Sequence, residues 1–150
     1  MMAATVSQVR QALAQRLRSI PGLQVYPYFA GAISAPAAAL TLGIPGGSAS
    51  SPGIDYRSTF GGGHPQLWTL RVMVQAAHEE SAIAALDDYV SPVGPRSILA
   101  VLENNGQPLA LDGVEVADFV RVPSLIQAGP MEWAGTPYLG AEWAVEVHAR

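Results

Sequence analysis

The sequence predicts an α+β fold. A mostly antiparallel or mixed β-sheet would be packed by an N-terminal helix and two central helices in one domain, 1–150, with a protruding β-hairpin. Three observations predict it. Apolar residues recur at helical spacing in three segments and alternate with polar ones in several others. The two kinds of segment are segregated along the chain, where a parallel α/β fold would interleave them. The 150 residues, 49% of them hydrophobic, suffice for one substantial core and are too few for two.

Residues 5–20, TVSQVRQALAQRLRSI, form the first helix. Thr5 and Gln8 have capping-box spacing, and Val6, Val9, Leu13, Leu17 and Ile20 fall on one stripe. Pro21-Gly22 ends it. Arg10, Arg16 and Arg18 lie off the stripe, as a basic contact surface or as a solvated flank. Residues 23–29, LQVYPYF, read as a strand that Pro27 restricts to an edge or a bulge. Ala35-Pro36 breaks the chain before a short buried strand over 37–43, AAALTLG. Residues 43–53, rich in Gly, Ser and Pro, have no periodicity and read as a mobile loop.

Two runs follow, 54–60 and 66–75. In the second, Trp68, Leu70, Val72 and Val74 alternate with Thr69, Arg71 and Met73, the pattern of a half-buried strand. In the first, Ile54, Tyr56 and Phe60 share one face. Joined by Gly61-Gly62-Gly63-His64-Pro65, they predict a hairpin over about 54–75 with an adaptable glycine tip. Helices are predicted over 79–90 and 95–104. Glu79 and Glu80 suit the positive end of the first, and Pro95 and Asn105-Gly106 bracket the second. The remainder is strand-like. Val114, Val116, Val120 and Val122 alternate, as do Ala141, Trp143, Val145 and Val147, and MEWAGTPYLG between them predicts a small hairpin turning at Ala134-Gly135. The helices would cover one sheet face and leave the other, partly polar, to a neighbour.

Charged residues make up 13% of the chain, against about 25% in a typical soluble domain. Such a deficit fits a subunit covered by copies of itself or by partners, and fits equally an Ala-, Gly-, Ser- and Pro-rich surface. The net charge of −4 argues against nucleic-acid or anionic-membrane binding through bulk charge. With no cysteine there is no disulfide, thiolate metal site or Cys nucleophile. The opening residues lack a signal-peptide core, and no apolar run is long enough to span a bilayer as a helix, so a soluble chain made in the cytoplasm is expected.

The glycine stretch does not have the order of a phosphate site. A P-loop or dinucleotide fingerprint places its glycines before a helix whose N-terminus holds phosphate, whereas His64-Pro65 and a strand follow here. His64, His78 and His148 have no metal-ligand spacing, and there is no Gly-x-Ser-x-Gly elbow. Glu142 and Glu146 share a strand face, which suits a solvent or interface row better than a glycosidase pair. Trp68 and Trp143 lie on apolar faces and read as core. The expectation is a protein with no catalytic residues, no cofactor and no metal, and not an enzyme.

The helix leading into IPGLQVYPYF, then IDYRSTFGGGHPQLWTLRVMV, ALDDYVSPVGPRSILAVLE and the closing YLGAEWAVEV, in that order, resemble the tail terminator (tail completion) proteins of long-tailed bacteriophages. The resemblance spans nearly the whole chain. It implies a homohexameric ring in the virion neck that caps the tail tube, stops its polymerisation and offers a platform for head–tail joining. The implied partners are other copies, the major tail tube protein and the head–tail connector or stopper. Genomic DNA would pass through the lumen without sequence-specific binding, and no membrane is involved. On this reading Arg57, Gly61, Gly62, Gly63, His64 and Arg71 are the candidate interface or lumen residues. The alternatives are another neck or tail component, such as a stopper, adaptor or minor tail protein; a small enzyme or ligand-binding domain around His64 or His78; and a nucleic-acid binder using Arg10, Arg16 and Arg18.

Overall fold

The computed structural model describes residues 3–28, 31–43, 52–57, 63–75 and 79–150. Three α-helices and six strands form one α+β unit: α1 (Val6–Leu17), β1 (Gln24–Tyr26), β2 (Ala37–Leu42), β3 (Pro65–Gln75), α2 (Glu79–Val90), α3 (Ile98–Glu103), β4 (Leu109–Leu111), β5 (Val114–Trp133) and β6 (Thr136–Ala149). The strands make a single mixed sheet in the order β1-β2-β3-β6-β5-β4. Only β1 and β2 run parallel; every other neighbouring pair is antiparallel.

The predicted capping box is present. The Thr5 hydroxyl accepts from the Gln8 N–H at 3.1 Å, and the Gln8 side chain accepts from the Thr5 N–H at 2.8 Å. These bonds satisfy two donors that a helix start leaves open. Val9, Leu13 and Leu17 are wholly buried against the sheet, as their spacing predicts. The third helix is shorter than its sequence suggests. Pro95 stays outside it, and Ser97 is the N-cap, its hydroxyl accepting from the Ala100 N–H at 3.1 Å. A serine cap satisfies an open donor, which proline at the first turn only avoids creating. Asn104, in the left-handed region at φ 43°, ends the helix one residue before the expected Asn105-Gly106.

The core lies between the helices and one sheet face, built by Leu40, Trp68, Leu70, Val72, Trp143, Val145, Val147 and Val120. The opposite face differs from expectation. Ala37, Ala39, Thr69, Met73 and Glu142 lie on it, and all are buried. The centre of the sheet is therefore covered on both sides, and its polar face is not broadly open to a neighbour. At one edge the Thr69 hydroxyl donates to the Gly43 carbonyl at 2.7 Å, which draws the end of β2 across that face.

The expected 54–75 hairpin is not how β3 is paired. β3 lies between β2 and β6 over its length. Among the described residues of 54–60, only Ile54 meets β3, through one bridge to Gln66, and Tyr56 and Arg57 form a turn. Residues 58–62 and the 44–51 part of the expected mobile loop lie outside the described residues. The long hairpin of the fold is β5–β6, joined at Ala134-Gly135. Both turn residues have positive φ, 50° and 82°, the signature of a type I′ turn.

Candidate assembly surface

β5 departs most from its sequence reading. From Ala117 to Trp133 it advances sixteen residues while β6 retreats thirteen, from Ala149 to Thr136. The difference is three single-residue bulges, placed between Ala117 and Val120, Arg121 and Ser124, and Leu125 and Gln127. Each bulge adds twist and resets which side chains face the core. β5 consequently buries Val116, Ala117, Val120 and Val122, then exposes every residue from Pro123 to Ala128.

Among the described residues the outer edge of that exposed stretch has no strand beside it. β4 pairs only with residues 114–117. Among the described residues no strand covers β5 beyond Ala117. Val122 directs its N–H away from the hairpin to Glu103 Oε2 at 2.9 Å, so α3 caps the beginning of the open edge. Pro123 and Pro130 are compatible with an edge and not with a central strand. No charged residue lies between Arg121 and Glu132, while Leu125 is 40% and Ile126 48% exposed. Natural edges are usually protected by charge. This one is long, uncharged and partly apolar.

The sequence candidates fall elsewhere. Gly61 and Gly62, like His78, lie outside the described residues. Gly63 is buried, and a Cβ placed on it would sit 1.8 Å from the Ala149 carbonyl oxygen. It is a point of close backbone approach to the end of β6, not a hairpin tip. His64 meets Tyr56 edge to face at 5.6 Å between ring centroids. Both line a hollow of about 250 Å³ with Val6, Ile54 and Arg150. Arg57 is exposed on a turn that the Asp55 carboxylate holds by accepting the Arg57 N–H at 3.0 Å.

Arg71 is directly opposite Glu142 on β6, and its Nε donates to Oε1 at 3.1 Å. Gln127, opposite Glu142 on the other side, donates to Oε2 at 2.8 Å. Both oxygens of a buried carboxylate are thus satisfied across three strands. Arg71 has an internal role, with its side chain 35% exposed.

Of the three arginines of the first helical segment, Arg18 is exposed, and Arg10 and Arg16 are built into the body. Arg10 donates to the Pro27 carbonyl at 2.9 Å and lies over the Trp68 ring at 4.9 Å. Arg16 donates to the Leu102 and Pro108 carbonyls at 2.6 and 2.9 Å, tying α1 to the end of α3. Burial pushes its guanidinium below the usual value. On the other sheet face Phe119 stacks on His148 at 4.1 Å, and Arg121 lies 4.8 Å over Phe119. A cleft of about 410 Å³ opens between α2 and the turns before β1 and β2, lined mainly by apolar groups, with Gln75, Ser81, Tyr89 and Arg96 as polar members. Burial raises the Tyr89 phenol above its usual value.

No helix among the described residues is long and apolar enough to cross a membrane. Among the same residues no three His, Cys, Asp or Glu side chains are grouped to hold a metal ion. No protein-family model matches the chain, and a search of curated proteins returns no match. The feature that the described surface defines is an open, neutral sheet edge.

Proposed function

We propose that this chain is a structural virion protein of the tail terminator type. Copies form a ring on the end of a phage tail tube, halt tube growth and present a platform for head–tail joining, with DNA passing through the lumen. The observation that supports this reading is the uncharged outer edge of β5 between Arg121 and Glu132. Unpaired strand edges are templates for association, and retaining one this long suits a protein that works by joining others. The 13% charge content agrees with a surface meant to be covered.

Negative-stain imaging of the purified protein, alone and with its tube protein, tests the reading. Rings of uniform diameter seated on tube ends, with tubes of limited length, are expected. Tubes that lengthen unchecked and never carry the protein would reject it. Rings bound to a head-side connector but not to tube ends would instead indicate another neck component.

A further inference from the structure

The cleft between α2 and the turns before β1 and β2 is mainly apolar and carries one cation. We propose that it binds a small amphipathic monocarboxylate. The apolar body of the ligand would rest on Val74, Ala82 and Ala85, and its carboxylate would be held by Arg96 and the Tyr89 hydroxyl. This inference rests on the cleft alone and is independent of the tail reading.

The first argument is size and lining. At about 410 Å³ the cleft falls within the range of small-molecule sites, roughly 300–1,000 Å³. Val74 and Ala82 are buried members of the core, so the floor is formed before any ligand arrives. A short hydrocarbon placed there leaves water for an apolar surface.

The second argument is charge. Among the described residues that line the cleft, Arg96 is the only charged one. Its ion pair with Asp88 spans 3.9 Å, beyond hydrogen-bond distance, and the two side chains are 48% and 61% exposed. A pair this long and this exposed contributes little. Asp88 itself lines a neighbouring hollow of about 290 Å³ that shares Pro21 and Arg96 with the cleft. The guanidinium therefore has donors to offer a guest, and its planar fork matches a carboxylate.

The third argument is Tyr89. It lines the cleft and is 3% exposed, yet no described residue hydrogen-bonds its hydroxyl. A buried phenol ordinarily has a partner. Burial holds its proton in place, so at neutral pH the hydroxyl is a donor, and Arg96 is near enough to act on it electrostatically. An acceptor with one negative charge answers both groups. A single cation suits a carboxylate better than a phosphate dianion.

Octanoate is a suitable probe, titrated into the full chain by calorimetry at neutral pH. Octan-1-ol has the same hydrocarbon without the charge, and octylammonium has the opposite charge. Octanoate is expected to bind with a Kd of about 1 mM or tighter. Octan-1-ol should bind about tenfold more weakly, and octylammonium should not bind. Arg96→Met should weaken octanoate about tenfold and leave octan-1-ol unchanged, while Arg96→Lys keeps most of the affinity. Circular dichroism checks that each variant is folded. Amide shifts caused by octanoate should centre on Val74, Ala82, Ala85 and Tyr89. No octanoate binding, equal affinity for octanoate and octan-1-ol, undiminished binding by Arg96→Met, or shifts centred elsewhere would overturn the inference. Imaging of rings on tube ends involves no such ligand, so either reading can fail while the other stands.

Discussion

At the residue scale, three positions carry more constraint than their type suggests. Gly63 cannot accept a side chain, because the Ala149 carbonyl occupies the space. Gly63→Ala must displace the end of β6, and a loss of about 3 kcal/mol is expected in chemical denaturation. Ala134 occupies the left-handed region at φ 50°, which costs an L-residue roughly 1–2 kcal/mol. Ala134→Asn, a residue that tolerates this conformation, should add up to about 1 kcal/mol of stability, read as a higher thermal midpoint. Tyr89 is raised above its usual value of 10.0 chiefly by burial, with Asp88 adding and Arg96 opposing. Near and above that value the unfolded chain releases this proton more readily than the folded one, so unfolding is increasingly favoured. The stability Tyr89 contributes is complete below pH 10 and is lost as pH rises through its higher folded value. Tyr89→Phe should therefore lose less thermal stability than the parent between pH 9 and pH 11.

At the element scale, β3, β6 and β5 are held together at mid-height by Arg71, Glu142 and Gln127. Glu142 is 4% exposed, so its carboxylate has these partners in place of water. Arg71→Met leaves the carboxylate short of its counter-charge and should cost about 3 kcal/mol in urea unfolding. Replacing both, Arg71→Met with Glu142→Met, should recover most of that loss, because an apolar pair of similar volume has no charge to desolvate. If the double variant proved no more stable than the single, the loss would come from packing and not from the ion pair. The same strands show what their sequences concealed. β3 and β6 pair in an unbroken register, and the alternation of 68–74 and 141–147 makes both legible as strands. β5 breaks period three times, and its Pro123–Ala128 stretch carries neither a core stripe nor a helical one. A bulge leaves no local mark on residue type, so a strand of twenty residues reads as two short segments and a turn.

At the scale of the whole molecule, the outer edge of β5 beyond Ala117 is the longest stretch of strand without a neighbour among the described residues. That open edge is the physical basis for reading the protein as a component of an assembly. On that reading the proposed contact surface includes β5. Gly63 and His64 are packed beside the terminal strand, and Arg71 is engaged within the sheet. Charge reversals at Arg57 should consequently affect assembly less than changes at Ile126, such as Ile126→Lys, which sets a charge on the neutral edge. Pull-down of the tube protein by each variant, with circular dichroism to confirm folding, measures the difference. Equal binding by the parent and Ile126→Lys would exclude this edge from the contact.

The sequence by itself determined the fold class, the capping box of α1, the buried strand at Ala37–Leu42, the second helix and the turn at Ala134-Gly135. These rest on interactions within a few residues, where spacing and residue type carry the information. Only the tertiary structure decided that β3 lies between β2 and β6, that Glu142 is buried with Arg71, and that β5 has an open side. Strand pairing joins residues far apart in the chain, and an unpaired edge is defined by a neighbour that is missing, which no run of residues can spell out.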